Sequence, residues 1–193
     1  VRHGLVLTLL GDPGQIHYKR SRRGNALIDR AAIHVLAAAG EPHVVEDFLP
    51  YGYDERQFCS PGFDLPVGCL MRTPFQRFPE YHTSGDNLSF VRSEKLIDSL
   101  SKVLAIVNVL EHDATYVNSS PKTEPQLGKR GIYRALADRG SDGSSEMAIL
   151  WVLNQSDGTH SLLDIAERSK LGFERIRVAA TLLEEAKLLT RRA

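Results

Sequence analysis

YGYDERQFCSPGFDLPVGCLMRTPFQRFPEYHTSGDNLSFV, residues 51–91, sets acids, an imidazole and phenols at loop positions around one apolar segment. Leu65-Pro66-Val67-Gly68-Cys69-Leu70-Met71 reads as a short buried strand. Before it, the run Gly52–Phe58 crowds Asp54, Glu55 and Arg56 into one turn. After it, Tyr81-His82-Thr83-Ser84-Gly85-Asp86-Asn87 holds an imidazole on a turn beside a phenol and a carboxylate. Binding and catalytic residues concentrate on loops held by a rigid element, so the chemistry is expected here.

Upstream, Leu5–Leu10 reads as a buried strand ending at the turn Gly11-Asp12-Pro13-Gly14. Tyr18–Gly24 reads as a basic loop, and Asn25 is the expected cap of a helix over 26–39. Leu27, Ala31, Val35 and Ala38 recur at helical spacing, Gly40 closes the helix and Pro42 follows. His43–Leu49 reads as a further strand. Strand, helix, strand suggests a parallel crossover unit. A long helix is expected from Ser93-Glu94 to Leu110, with Leu96, Leu100, Val103, Leu104, Val107 and Leu110 covering one side of the sheet. The expected fold class is therefore α/β over residues 1–113.

Residues 114–145, with their Ser/Pro and Gly/Ser clusters, read as a linker holding a helical turn or two around Ile132–Leu136. The tail 146–193 differs in kind. Helices over Glu146–Leu153, Leu162–Ser169 and Glu174–Ala186, with a Gly-bearing turn before the third, describe a helix-turn-helix. Leu188-Leu189-Thr190 begins a wing that is expected to be short or absent.

Charge limits the partners. Twenty-four basic residues balance twenty-four acidic ones, so there is no global pull toward nucleic acid or anionic membrane. From Asp142 to Ala193, seven basic side chains face eight acidic ones, a net charge of −1. Duplex binding depends on phosphate neutralisation, so this favours a protein-interaction or structural role. Arg175 and Arg177 on the third helix are the candidate DNA contacts. Two cysteines, Cys59 and Cys69, point to a reducing, cytoplasmic setting rather than a disulfide scaffold. No apolar run approaches the ~20 residues of a membrane span. An apolar strand follows Val1 almost at once, with no initiator Met, and the chain reads as the C-terminal part of something longer.

Each candidate residue has a plainer reading. Asp12 closes the first strand, where ligands of parallel sheets bind and where an acid can hold a cation; it also simply starts a turn. His82, between Tyr81 and Thr83, is a loop imidazole with hydrogen-bonding neighbours, as a metal ligand of fixed tautomer requires, or a surface histidine. Asp54 and Glu55 are paired acids or ion-pair with Arg56. Arg20, Arg22 and Arg23 precede a helix N-terminus, a natural anion site for a substrate carboxylate or phosphate, or form a solvated loop.

The run from Leu5 to Val91 resembles the C-terminal half of zinc-dependent aminopeptidases of the M28 type. More closely, Tyr18–Gly24, PYGYDERQFCSPGFDLPVG and EYHTSGDN resemble the bacterial aminopeptidase-like proteins that carry a domain of unknown function. Those proteins are often associated with polysaccharide-biosynthesis loci and end in a winged helix, which DGTHSLLDIAERSKL resembles. The resemblance implies a partial zinc-exopeptidase-like sheet with flanking helices, followed by a small winged helix-turn-helix. It implies that Asp12 and His82 are zinc ligands, that Tyr81 donates to a tetrahedral oxyanion, and that Asp54 supports the site from behind. The remaining ligands and the catalytic Glu of that family lie before Val1, so the expectation is a peptide or amide hydrolase that is silent as this fragment. A winged-helix regulator and a non-catalytic scaffold are the rival expectations.

Overall fold

The computed structural model describes residues 1–138 and 142–192, which divide into two units, Val1–Leu110 and Glu111–Ala193. In the first, strands Gly4–Leu7 (β1), Ile16–Lys19 (β2), His43–Glu46 (β3) and Val67–Met71 (β4) form one sheet in the order β1-β4-β2-β3. β1 runs parallel to β4 and β3 parallel to β2, whereas β2 and β4 are antiparallel. β2 and β4 are buried along their whole length, so the core lies at the middle of the sheet. Gly68 has no side chain because Tyr18 crosses it: a Cβ there would meet the phenol oxygen at 2.1 Å.

The basic loop expected from Tyr18 is in part β2, and the parallel crossover runs from β2, not from β1, through helix Leu27–Ala39 (α1) to β3. The helix is capped by Ala26, not Asn25. It is turned from the expected face: Ile28, Ala31, Ala32 and Leu36 are buried, while Ala38 is exposed. Asp29 explains the rotation. Its carboxylate accepts hydrogen bonds from the Tyr18 hydroxyl (2.8 Å), the Ser21 amide (2.7 Å), the Ser21 hydroxyl (2.6 Å) and the Ala26 amide (3.0 Å). Burial and the neighbouring Asp29 charge push the Tyr18 phenol well above its ordinary value, so it stays a donor. Asp29→Asn turns an amide NH2 toward these donors and is expected to destabilise the first unit by about 1–3 kcal/mol in urea denaturation.

After the short helix Glu55–Phe58 (α2), the long helix Ser93–His112 (α3) forms where expected, but not with the expected face inward. Ser99, Lys102, Ile106 and Val109 are buried, whereas Leu96, Leu100, Leu104 and Val107 are 44–59% exposed. Hydrogen bonds decide this. The Ser99 hydroxyl donates to the Leu10 carbonyl (2.9 Å), and Lys102 donates to Glu41 (2.7 Å) and Asp98. Apolar periodicity cannot see a polar face that is satisfied internally.

The second unit begins at Glu111 and takes in the stretch 114–145 that was expected to be a linker. Thr115–Asn118 (β5) is the middle strand of a sheet whose outer strands are Asp157–Ser161 (β6) and Leu189–Arg191 (β7), all antiparallel. Tyr116, Leu127, Ile132 and Leu136 are buried, the last two on helix Ile132–Asp138 (α4). Residues 139–141 of the stretch lie outside the described residues. The Asp157-Gly158 turn is part of β6, and the wing strand β7 is present. Helices Gly143–Gln155 (α5), Leu162–Ser169 (α6) and Phe173–Glu185 (α7) follow the expected order. Ser161 caps α6 in a reciprocal box with Asp164. No helix of the described residues is long and apolar enough to cross a membrane.

Candidate functional site

Because β1 and β4 are parallel, the turns that leave them lie side by side at their carboxyl ends. β1 ends at Leu7, earlier than the expected Leu10, and Asp12 lies in the turn beyond it, 4% exposed. Its Oδ1 accepts from the Gly14 amide (2.8 Å) and the Thr73 hydroxyl (2.6 Å), and its Oδ2 from the Thr73 amide (3.1 Å). Arg72, which leaves β4 just before Thr73, donates to the carbonyls of Leu10 (3.2 Å) and Gly14 (2.6 Å) and so brackets the turn. Asp12 is thus a fixed carboxylate, with acceptor capacity left on Oδ2.

Phe75, two residues beyond Thr73, seats the aromatic loops. Its ring lies 5.5 Å from Tyr51, 5.2 Å from Tyr53 and 6.0 Å from Tyr81 between centroids. Its amide donates to the Tyr53 phenol oxygen (3.1 Å). Burial raises the Tyr53 phenol well above its ordinary value despite that bond, which leaves its O–H a donor. Tyr81 stacks on His82 at 4.0 Å, and His82 is exposed with φ 57°, a left-handed backbone. Asp12 is thus held by Thr73, and the Tyr81 ring, on which His82 stacks, lies near Phe75 on the same short segment.

The acidic turn behaves differently from the sequence reading. Glu55 pairs with Lys19 at 2.8 Å, and both are buried. Lys19 also donates to the Tyr51 carbonyl (2.7 Å), which fixes the loop that carries Tyr51 and Tyr53. Asp54 is exposed and opens α2, with no side-chain capping bond. Thr73, Arg72, Tyr53 and the Lys19–Glu55 pair were not legible as site elements, because their partners are remote in sequence. The signal available was Gly52: a Cβ there would meet Glu55 Oε1 at 2.5 Å and Lys19 Nζ at 2.9 Å.

The basic loop is not part of this cluster. It follows β2, which runs antiparallel to β4, so it leaves the sheet toward the start of β4 and not toward Thr73. Arg20 lies 3.6 Å from Asp47, while Arg22 (3.2 Å) and Arg23 (3.4 Å) share Asp64. The two candidate DNA contacts each face an acid at the surface. Arg175 lies 3.4 Å from Asp142, and Arg177 forms a two-pronged pair with Glu174 at 2.5 and 2.8 Å.

Zinc is the metal that the resemblance implies. The donor chemistry of Asp12 and His82 suits it; the number does not. A catalytic zinc takes at least three protein ligands, and no group of three His, Cys, Asp or Glu side chains among the described residues is arranged to hold a metal.

Comparison with known proteins extends this picture. Residues 1–113 match the domain of unknown function DUF4910, and residues 114–191 match a winged helix-turn-helix. A candidate polysaccharide biosynthesis protein with an aminopeptidase-like domain, from Clostridium acetobutylicum, is 48% identical over 189 residues, which are 98% of this chain and 43% of that protein. A crystal structure of a candidate peptidase from Clostridium acetobutylicum superposes with a TM-score of 0.90 at 45% identity, over 100% of this chain and 42% of that one. The chain thus spans less than half the length of the relatives it matches. It belongs to the DUF4910 family, with a winged helix-turn-helix following the DUF4910 domain.

Proposed function

We propose that these residues are part of a cytoplasmic, zinc-dependent, aminopeptidase-like hydrolase acting on peptide or amide bonds, whose other ligands and general base lie outside the 193 residues. The observation that carries the reading is the hold of Thr73 on Asp12 and the nearness of the Tyr81 ring to Phe75, on one short segment at the common carboxyl end of two parallel strands. The names of the two relatives support it. In this reading Asp12 and His82 are two of the metal ligands. Thr73 fixes the orientation of Asp12, and Tyr81 presents its hydroxyl to the developing oxyanion. Asp54, exposed and without a side-chain capping bond, has only the weaker part of an exposed acid beside the cluster, and the loop at Arg20, Arg22 and Arg23 has at most an indirect part in substrate choice. Zinc, when bound, supplies a Lewis acid and lowers the pKa of its water. The buried, unpaired Cys59 and Cys69 suit a reducing compartment. The net charge of −1 over residues 142–193 favours a protein partner or regulation over duplex binding for the winged helix.

The full-length protein tests this. Asp12→Ala and His82→Ala are each expected to weaken zinc binding at least about tenfold, read as metal content after dialysis. Tyr81→Phe is expected to keep the metal and lose about a hundredfold in kcat on an aminoacyl anilide. Unchanged zinc content and rate in both ligand variants would overturn the assignment.

A further inference from the structure

In the second unit, α5, the segment 118–125 and residues 156–157 line an open cavity of about 590 Å³, a volume within the range of small-molecule sites. One wall is apolar: Met147, Leu150, Trp151, Leu153 and Pro125. Trp151 is half-buried and is the single tryptophan of the chain. Ser156 lines the same cavity. It is 3% exposed, and its hydroxyl is buried without a hydrogen-bond partner. A buried hydroxyl left unpaired is costly, and a ligand able to hydrogen-bond to it relieves that cost.

Charge selects the ligand. The charged side chains that line the cavity, Glu124 and Asp157, are both acidic, and no Lys, Arg or His is among the described lining residues. Hydrogen bonds from the Thr159 hydroxyl and amide, then from His160, hold the Asp157 carboxyl far below its usual range, so it stays ionised. An indole face attracts a cation more strongly than any other aromatic side chain. Together these features repel phosphate and carboxylate groups.

We propose that this cavity binds a small free organic cation, an ammonium or guanidinium carried on an apolar stem. The stem packs against Met147, Leu150 and Pro125. The head is drawn by Glu124, Asp157 and the Trp151 ring, and it donates to the Ser156 hydroxyl once a turn of that side chain about χ1 brings its oxygen into the cavity. This places a ligand-responsive site in the winged-helix unit, and it does not depend on the hydrolase reading.

Because Trp151 is unique, its fluorescence reports this cavity directly. Titration of the chain at low salt with hexylammonium is expected to give a saturable change in emission. Hexanol and hexanoate are expected to bind at least about fivefold more weakly. Glu124→Gln changes an exposed side chain, so the fold is retained, and it is expected to weaken hexylammonium about fivefold. Ser156→Ala is expected to weaken it further without changing the circular dichroism spectrum. Hexanoate binding as well as hexylammonium, a saturable response to a neutral disaccharide but none to the amine, no response at all, or an unaffected Glu124→Gln would each overturn the proposal.

Discussion

Lys19→Met is expected to destabilise the first unit by about 3–5 kcal/mol, the usual cost of breaking a buried ion pair from one side. Lys19 and Glu55 are both buried, and the ammonium lies 2.8 Å from Glu55 Oε1 and 5.4 Å from the Phe48 ring centroid. Methionine keeps most of the apolar stem of Lys19 but removes the charge. The Glu55 carboxylate, which is 0% exposed and already has one oxygen without a partner, is then left without a counter-ion. The Tyr51 carbonyl also loses its donor. Most of the cost therefore comes from the group that remains, so the double variant Lys19→Met with Glu55→Met is expected to lie within about 1–2 kcal/mol of the parent. Urea denaturation followed by circular dichroism measures both, and hydrogen exchange at the Val67–Met71 amides assigns the loss to this unit. A single-variant effect below about 1 kcal/mol would mean that the pair behaves like an exposed one.

The same pair shows what the sequence could and could not convey. β4 was legible because an apolar run follows Leu65-Pro66, and α6 because a helix-starting Ser161 follows the Asp157-Gly158 turn. β2 was not legible. Its Ile-His-Tyr-Lys run reads as polar, yet every residue is buried, because Tyr18 finds Asp29 and Lys19 finds Glu55, 36 residues away. β5 was hidden for a related reason, since its partners are strands more than 35 residues further along the chain. At the candidate site, Gly11-Asp12-Pro13-Gly14 announced a turn at the end of a strand, but not what fixes it: Thr73 is 61 residues from Asp12. The inward face of α3 was misread because its buried Ser99 and Lys102 are satisfied by groups outside the helix as well as within it. Local patterns specify elements; the polar partners that orient them are non-local.

Arg72→Met is expected to cost about 3–5 kcal/mol and to release the turn that carries Asp12. Arg72 is 2% exposed, and its guanidinium serves five partners: the carbonyls of Leu10, Gly14 and Lys95, the Ser99 hydroxyl and the Asp98 carboxylate. Lysine keeps the charge but not the planar fork, so Arg72→Lys is expected to recover only part of the loss. The variant also has a pH signature. Burial alone raises the Asp98 carboxyl, but hydrogen bonds and charge from Lys102 and then Arg72 outweigh it and hold the group below its usual range. A carboxyl depressed by folding stabilises the native state at pH values above its unfolded pKa, near 4, and that contribution fades as the pH falls through the folded value. Removing Arg72 takes away one of the depressing partners, so the acid-induced fall in stability below about pH 4 should be shallower in Arg72→Met than in the parent. Urea titrations between about pH 2.5 and 7 read that slope. On the proposed zinc reading, the same variant of the full-length protein should bind the metal less tightly although Arg72 is no ligand, because the Leu10 and Gly14 carbonyls that bracket Asp12 lose their shared donor. Parent-like metal affinity in a destabilised Arg72→Met protein would separate the stability of the turn from the chemistry proposed for Asp12.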